Sequence, residues 1–408
     1  MKVRKSTTKT DLVSDTKKKS KAKVKWNFNI KKAKLATKIA IIISAMLVVV
    51  FCSLIGFTIV FSGAAIKDSI SAELDELSYS NGAQVENILN GAISATTDIK
   101  AYLTRAYAQR AKGGPDTVGN IDFESSLYGI VVSPLSSDME KYITETARNA
   151  AVSNPDIVGV SVMFEPFEFE SDLESYSFYV SENIGSDAIK PFGFYSAYSQ
   201  EPYYADALEA KKMVFTDPYE HEGITMVTIS NPVVVDGKVK CVISADVNVT
   251  NFDKLEMVNG RYPTMYSTVY NENGIITYDT DDINDVGRYV GDFFANKSEL
   301  DTVLANFAKG ESFTLQTVRE NGMKVMRFYN PIKAGEHTWW TLTALSPDDM
   351  NESVSATTFW LIIISAVSLA LILIVVILTL KATLNPIKAV MQAANDISKG
   401  NFEINMTA

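Results

Sequence analysis

Histidine and cysteine, on which many catalytic and metal sites depend, are scarce in this 408-residue chain. The only cysteines are Cys52 and Cys241, and the only histidines are His221 and His337. These distant cysteines exclude a disulfide framework and a zinc site built on thiolates. The histidines lack HExxH-like spacing, and we expect both to be solvated loop residues.

Other motifs of enzymes are missing from the sequence as well. It contains no Gly-rich phosphate loop, no GxSxG element and no nucleophile–histidine pairing. The carboxylate pairs Asp281-Asp282 and Asp348-Asp349 lie in polar, turn-like stretches, where we expect them to be solvated. We therefore predict a protein that is not an enzyme, with no catalytic residue, no metal site and no cofactor.

Asp246 is the acidic residue whose surroundings demand an explanation. It lies within CVISADVNV, an otherwise apolar stretch that is typical of a β-strand. A carboxylate in such a strand costs free energy unless it is paired or hydrogen-bonded. We interpret Asp246 as a candidate functional residue, with a satisfied structural carboxylate as the alternative.

Charge is distributed unevenly along the chain. The formal net charge is −10, but residues 1–38 carry +12, residues 39–380 carry −23 and residues 381–408 carry +1. The large acidic block excludes nucleic acid as its partner, because phosphates would be repelled. Residues 1–38 are predicted to form a disordered, lipid-facing cytoplasmic tail.

Two uncharged runs, residues 39–61 and 359–380, are long enough to cross the hydrocarbon core of a bilayer. The first is too long for a cleaved signal peptide and indicates a signal anchor. Lysines crowd the near side of the first run, and Lys381 and Lys388 follow the second. This bias predicts a two-pass plasma-membrane protein with both termini in the cytoplasm and residues 62–358 outside.

The outer segment begins with apolar residues at helical spacing from Ile66 to Leu103, which predict a helix of about 40 residues. Two successive groups of strands and helices follow. The first group has predicted helices at 138–152, 201–212 and 251–257, and strands at 157–164, 177–181, 191–198, 214–217, 224–235 and 238–249. The second has a helix at 293–309 and strands at 267–272, 275–279, 312–320, 323–329 and 339–345.

Three short sequences at the strand ends predict hairpins. Asp236-Gly237 has the signature of a type I′ turn, and the Asn-Gly pairs at 273–274 and 321–322 give the same kind of signal. Two units of helix plus antiparallel meander predict an α+β tandem. Trp339 and Trp340 are expected to be core and interface aromatics of the second group, not ligand contacts.

The residues after the second apolar run show a helical pattern. Apolar residues at a/d spacing follow an early proline that predicts a break from the preceding span, and a Lys-Gly-Asn-Phe run closes the segment. The residues that carry this pattern are Pro386, Ile387, Val390, Ala394, Ile397, Lys399, Gly400, Asn401 and Phe402. This segment is similar to the first helix of a HAMP linker.

The long helix, the two β-rich units and the flanking spans resemble a double Cache domain of a bacterial methyl-accepting chemotaxis receptor. The resemblance implies a tandem of PAS-like antiparallel sheets between transmembrane helices, with a HAMP helix at the C-terminus. Its boundaries are a tail at 1–38, spans at 39–61 and 359–380, a double Cache domain at 62–358 and a partial HAMP domain at 381–408. Within 62–358, the membrane-distal module covers about 105–257 and the proximal module about 258–350.

The resemblance also implies a small-ligand site in the distal module. Amino-acid-binding members show the pattern Tyr…Arg-x-Trp-Tyr…Tyr…Asp, in which Arg and hydroxyls hold the ligand carboxylate and Asp holds the ammonium. Tyr203 stands where the family has Trp, and either Tyr195 or Tyr198 could supply the first Tyr, although the spacing differs. The ligand-binding residues implied are Tyr195, Glu201, Tyr203, Tyr204, Tyr219 and Asp246.

Glu201 occupies the position of the family's arginine, and this departure changes the predicted ligand. A glutamate repels a carboxylate and attracts a cation, whereas arginine binds carboxylate with a bidentate fork. Two acids among aromatic rings suit a protonated amine, through charge-assisted hydrogen bonds and cation–π contact. We therefore predict an amine, or another cationic or neutral molecule, rather than a plain α-amino acid.

Structural roles are the alternatives for these residues. The rings of Tyr203 and Tyr204 would then cover the core, and Tyr219 would be a turn residue packing on a strand. Glu201 would be a water-facing acid at a helix N-terminus.

The resemblance implies a homodimeric chemoreceptor that signals through HAMP to a cytoplasmic coupling protein and kinase. The first alternative is the sensor half of a histidine kinase or diguanylate cyclase with the same input. The second is a membrane-anchored binding or adhesion protein, which the HAMP-like segment disfavours. The HAMP-like segment stops after about one helix, so we expect an output domain beyond Ala408.

Overall fold

The computed structural model describes residues 35–112, 123–181, 189–255 and 257–399. The chain divides into two units, and the larger one runs from Val60 to Phe359. The smaller unit combines residues 1–59 with residues 360–408. The predicted tail up to residue 34 and the Gly-Asn-Phe end of the HAMP-like run lie outside the described residues.

The described part of the smaller unit consists of helical segments. They belong to helix α1, Leu35–Ala111, and helix α6, Pro347–Ser398. Both helices are long and apolar enough to cross a membrane, and they include the two predicted spans. The predicted break at Pro386 is wrong, because α6 runs through this residue without interruption. A proline removes one backbone hydrogen bond, and here the flanking residues keep the helical conformation.

Within the larger unit, α1 buries one face along its length. The apolar residues from Ile70 to Leu103 that were expected on this face include Leu74, Val85, Leu89 and Ile99, each with no exposed surface. The helix extends beyond the predicted end to Ala111. The long amphipathic helix predicted from the apolar spacing is therefore confirmed.

The first module contains a seven-stranded antiparallel sheet. Its strands are β3 (Ile157–Phe164), β4 (Ser177–Ser181), β5 (Lys190–Pro191), β6 (Val214–Phe215), β7 (Tyr219–His221), β8 (Ile224–Val235) and β9 (Lys238–Asn248). Their order is β5-β4-β3-β9-β8-β6, and β7 also pairs with β8. The long strands β3, β9 and β8 therefore form the centre of the sheet.

Helices and short strands complete the first module. Helix α2, Pro134–Ser153, is capped by Ser133, whose hydroxyl accepts a hydrogen bond from the backbone N–H of Ser136 at 3.3 Å. Its apolar face joins α1 and the sheet in one core. A small pair, β1 (Phe123–Glu124) and β2 (Val131–Val132), lies before α2 in the sequence, and a 3₁₀ helix follows β9 at Val249–Leu255.

The strand predicted at 191–198 is wrong. The structure has β5 ending at Pro191, then helix α3 at Tyr195–Tyr198 and helix α4 at Pro202–Ala210. Gly193, with φ of 128°, lies between β5 and α3 in a conformation that L-residues rarely adopt. Aromatic content alone therefore misled the prediction, because the glycine ends the strand.

The second module contains a five-stranded antiparallel sheet and one helix. Its strands are β10 (Tyr266–Tyr270), β11 (Ile276–Asp279), β12 (Phe313–Val318), β13 (Lys324–Ala334) and β14 (His337–Leu345), and its helix is α5 (Lys297–Phe307). The strand order is β11-β10-β14-β13-β12. The predicted α+β tandem is confirmed, and Trp339 and Trp340 are core residues as expected.

Candidate functional site

One face of the seven-stranded sheet forms the floor of a cavity of about 600 Å³. Four residues that the sequence pointed to line this cavity: Glu201, Tyr203, Tyr219 and Asp246. The other lining residues are Val158, Ser161, Tyr179, Ser181, Phe192, Glu220, His221, Glu222, Ile224, Met226 and Ser244. Tyr195 and Tyr204 are not among the lining residues.

Strand alternation explains why the cavity floor is polar. Two rows of residues lie in register across β3, β9 and β8, two positions apart on each strand. One row is Gly159, Asp246 and Thr228, and the other is Ser161, Ser244 and Ser230. The residues between these rows, including Ala245 and Ile229, belong instead to the buried core.

Two hydroxyls hold the Asp246 carboxylate. Thr228 donates to Oδ1 at 2.7 Å, and Tyr179 donates to Oδ2 at 3.1 Å. The Thr228 hydroxyl has one hydrogen, so at its 2.7 Å contact with the Tyr219 hydroxyl it must accept. The hydrogen bonds thus run in one direction: Tyr219 donates to Thr228, and Thr228 donates to the carboxylate of Asp246.

Burial is the main influence on Asp246 and raises the pKa of its carboxyl group. The hydroxyls of Thr228 and Tyr179, and the proximity of His221, act in the opposite direction. Among the described lining residues there is no lysine or arginine, and Asp246 forms no ion pair with any described residue. The carboxylate is therefore hydrogen-bonded but forms no ion pair within the described part of the chain.

Aromatic rings form walls of the cavity. The ring centroid of Phe192 lies 6.0 Å from that of Tyr179 and 6.2 Å from that of Tyr203, in edge-to-face geometry. Burial and the charges of Glu201 and Asp246 raise the pKa values of Tyr203 and Tyr219, so these phenols stay neutral at physiological pH. Neutral rings beside an unpaired carboxylate favour a bound cation.

Glu201 lies at the cavity margin. It is the N-cap residue of α4, its side chain makes no capping hydrogen bond, and it is exposed to solvent. Glu201 therefore lines the cavity, as the resemblance implied, and also lies at a helix N-terminus, as the structural alternative stated. Glu220 and Glu222 add two further exposed acids to the lining.

Tyr195 and Tyr204 belong to a separate cluster. Both hydroxyls donate to Oε1 of Glu165, that of Tyr195 at 3.0 Å. Their rings contact Tyr198, which has no exposed surface and donates its hydroxyl to the carbonyl of Phe164 at 2.8 Å. For Tyr204 this matches the alternative in which the ring covers the core.

Sequence reasoning missed Gly159, Tyr179 and Thr228, which position Asp246. A Cβ built on Gly159 would lie 2.3 Å from the ring carbon Cζ and the hydroxyl of Tyr179. A glycine inside a strand often marks such a close approach, and this signal was present in the sequence. Tyr179 and Thr228 gave no comparable signal, because aromatic and β-branched residues are common in strands.

Comparison with known proteins agrees with this architecture. Residues 143–254, which contain the cavity, match the family model "Methyl-accepting chemotaxis protein-like, first PDC sensor domain". The periplasmic sensory domain of the Campylobacter jejuni chemoreceptor Tlp1 has a TM-score of 0.53 at 15% identity, over 70% of this chain and 98% of that domain. The larger unit therefore has the fold of a double Cache domain.

The same Cache-type fold occurs in sensors of another class. The extracellular domain of the candidate histidine kinase mmHK1S-Z3 has a TM-score of 0.50 at 19% identity, over 71% of this chain and 98% of that domain. No curated protein matches the sequence. These likenesses confirm the predicted Cache-type fold.

Proposed function

We propose that this protein is a transmembrane receptor whose first Cache-type module binds a small extracellular cation, specifically a protonated amine. The carrying observation is Asp246, a carboxylate with two hydroxyl donors and no cationic partner among the described residues. A carboxylate offers about four lone-pair positions. Two are used by Thr228 and Tyr179, so acceptor capacity is left for a ligand.

The lining charges support an amine over an α-amino acid. Four lining residues are acids, Glu201, Glu220, Glu222 and Asp246, and His221 is the only basic residue type among the described lining residues. A ligand carboxylate would meet repulsion and would find no guanidinium fork. A ligand ammonium would meet a carboxylate and neutral aromatic faces.

Titration of the full chain in lipid nanodiscs tests the ligand class. Butylamine, butanol and butyrate share a carbon skeleton but differ in charge, and we expect only butylamine to bind among these three. Asp246→Asn should weaken amine binding by at least about tenfold, because it removes a charge-assisted hydrogen bond. Glu209→Gln removes an equal charge from an exposed site on α4 and should leave binding unchanged.

One result of this titration would contradict the proposed ligand class. Tight binding of ordinary α-amino acids, lost in Asp246→Ala, would overturn the amine assignment. It would show that the ligand carboxylate is bound by a residue other than the family's arginine, whose position Glu201 occupies here.

The proposed output is chemotaxis signalling by a homodimer, through a HAMP linker to a coupling protein and kinase. The match of residues 143–254 to a chemotaxis-receptor sensor family supports this assignment. The two apolar helices support a membrane setting, and the lysine bias supports cytoplasmic termini. We propose no catalytic step for this chain, since its sequence carries no nucleophile–histidine pairing.

A histidine kinase or diguanylate cyclase output is the second candidate, favoured by the likeness to mmHK1S-Z3. The coding sequence downstream of residue 408 discriminates between the two. A long heptad hairpin with Glu/Gln methylation sites would support the chemoreceptor, and a kinase or cyclase domain would overturn it. Cysteine pairs introduced along residues 66–103 test the dimer, which predicts symmetric crosslinks in membranes.

A further inference from the structure

His337 is a buried histidine at the contact between the two modules. It begins β14 of the second module, and 10% of its side chain is exposed. Its Nδ1 lies 2.8 Å from Oε2 of Glu272, and its Nε2 lies 3.1 Å from the backbone carbonyl oxygen of Met213. The expectation that this histidine is solvated is therefore wrong, because the β13–β14 turn packs against the first module.

The two partners determine the protonation state of the ring. A carboxylate oxygen and a backbone carbonyl oxygen only accept hydrogen bonds. A neutral imidazole carries one N–H and can satisfy only one of them, whereas an imidazolium satisfies both. With Glu272 ionised, the two contacts together favour the doubly protonated ring.

These contacts join the two sheets. Met213 directly precedes β6 of the first module, and Glu272 lies in the turn between β10 and β11 of the second. Next to it, Asn271 donates its side-chain amide to Oδ1 of Asp217 at 2.7 Å. The ring of Phe215 in β6 packs edge-to-face on His337, with centroids 4.9 Å apart.

The segment held in this way leads to the cavity. Residues 213–217 are followed by β7, whose Tyr219 and His221 line the cavity described above. Tyr219 also contacts Thr228, the donor to Asp246. A change at His337 can therefore reach the cavity lining through a short, continuous stretch of chain.

We propose that His337 is a proton-dependent clamp, which fastens the β6–β7 segment of the first module to the second module when the imidazole is protonated and releases it when the proton is lost. The proposal requires no ligand, so it stands or falls independently of the amine site. It would make coupling between the modules depend on external pH.

Two charged side chains, Glu272 and Lys212, influence the pKa of His337. Glu272 raises the pKa of His337, chiefly through the hydrogen bond, whereas burial and Lys212 lower it, with a net rise. The His337 cation in turn lowers the pKa of Glu272. Because the folded-state pKa of His337 is raised, the clamp contributes its full stabilisation below the ordinary histidine pKa. This contribution is lost as the pH rises through the folded-state pKa of His337.

Hydrogen exchange of the full chain in nanodiscs, compared at about pH 6 and about pH 8, tests the clamp. After correction for intrinsic rates, amides of residues 213–222 should exchange at least about threefold faster at the higher pH. His337→Gln should show the faster exchange at both pH values. Glu272→Gln should move the transition to lower pH, because the counter-charge is gone.

A control and a direct readout are available because the chain has only two histidines. In His221→Gln the remaining imidazole is His337, so its titration can be followed by NMR of labelled histidine carbon. The exchange transition should persist in His221→Gln and coincide with that titration. A transition that survives in His337→Gln, or a titration without any change in exchange, would overturn the proposal.

Discussion

The hydroxyl of Tyr179 lies 3.1 Å from Oδ2 of Asp246, although a whole strand separates their own strands in the sheet. Tyr179 is in β4 and Asp246 is in β9, with β3 between them. The phenol crosses β3 at Gly159, which is the register partner of Asp246 and has no side chain to block the way. The contact thus depends on the absence of a side chain at Gly159.

Gly159→Ala should disrupt this arrangement. The new Cβ would lie 2.3 Å from the Tyr179 ring carbon Cζ and 2.7 Å from the backbone oxygen of Val180, so the ring must move. We expect a loss of about 1–3 kcal/mol in the free energy of unfolding, as for other overpacked sites, measured by denaturant unfolding. We also expect weaker amine binding, because Asp246 loses a donor.

The double variant Gly159→Ala with Tyr179→Ala is the control. Removing the ring relieves the larger clash, so part of the lost stability should return while binding stays weak. Equal stability in the single and double variants would show that the phenol is not the obstacle.

Asp246→Asn should make the unliganded protein more stable at neutral pH. Burial raises the folded-state pKa of this carboxyl group, so its ionisation opposes folding. The free energy of unfolding of the wild-type protein should therefore fall as pH rises from about 4 through the folded-state pKa, and the fall should be smaller in the variant, which keeps only the contributions of other groups such as Asp279. Parallel pH profiles of the two proteins in chemical unfolding would contradict the prediction.

Asp279 in the second module offers a separate pH dependence. It accepts hydrogen bonds from the Thr268 hydroxyl and from the backbone N–H groups of Asp281 and Asp282, and burial raises its pKa to about 6. Its ionisation therefore costs stability as pH rises from about 4 to about 6, by up to about 3 kcal/mol. Asp279→Asn should remove this slope in thermal unfolding while ligand binding is unchanged.

Tyr204→Phe separates structural from ligand-binding tyrosines. The variant loses the hydroxyl that donates to Glu165, so we expect a loss of about 1 kcal/mol in unfolding free energy. Amine affinity should stay within about twofold, because the ring does not line the cavity. Tyr219→Phe, which removes the donor to Thr228, should weaken binding more than it weakens folding. A large affinity loss in Tyr204→Phe alone would return this residue to the site.

Periodicity and turn chemistry were enough to predict most of the fold. The strands at Ile157–Phe164, Ser177–Ser181 and Ile224–Val235 have the predicted bounds. At the Asp236-Gly237 turn both residues have positive φ, 52° and 75°, as a type I′ hairpin requires. These features depend on local sequence, which is why they could be predicted without a structure.

Contacts between strands distant in sequence could not be predicted in the same way. Asp246 stood out because a carboxylate in an apolar strand is costly, but its donors come from β4 and β8. The burial of His337 depends on the packing of one module on the other, about which its sequence neighbours say nothing. Tyr195 and Tyr204 were grouped with the ligand-binding residues by resemblance. Both hydroxyls donate to Glu165 instead, and neither residue lines the cavity.

The neighbours Trp339 and Trp340 point to opposite faces of β14, and each belongs to a different hydrophobic core. Trp339 packs in the core that includes α1 and the seven-stranded sheet, whereas Trp340 packs among the aromatic residues of the second module. A slip of β14 by one residue would exchange the two indoles and damage both cores at once. The two modules should therefore melt in a single cooperative transition, so that neither sheet survives as an independent folding intermediate.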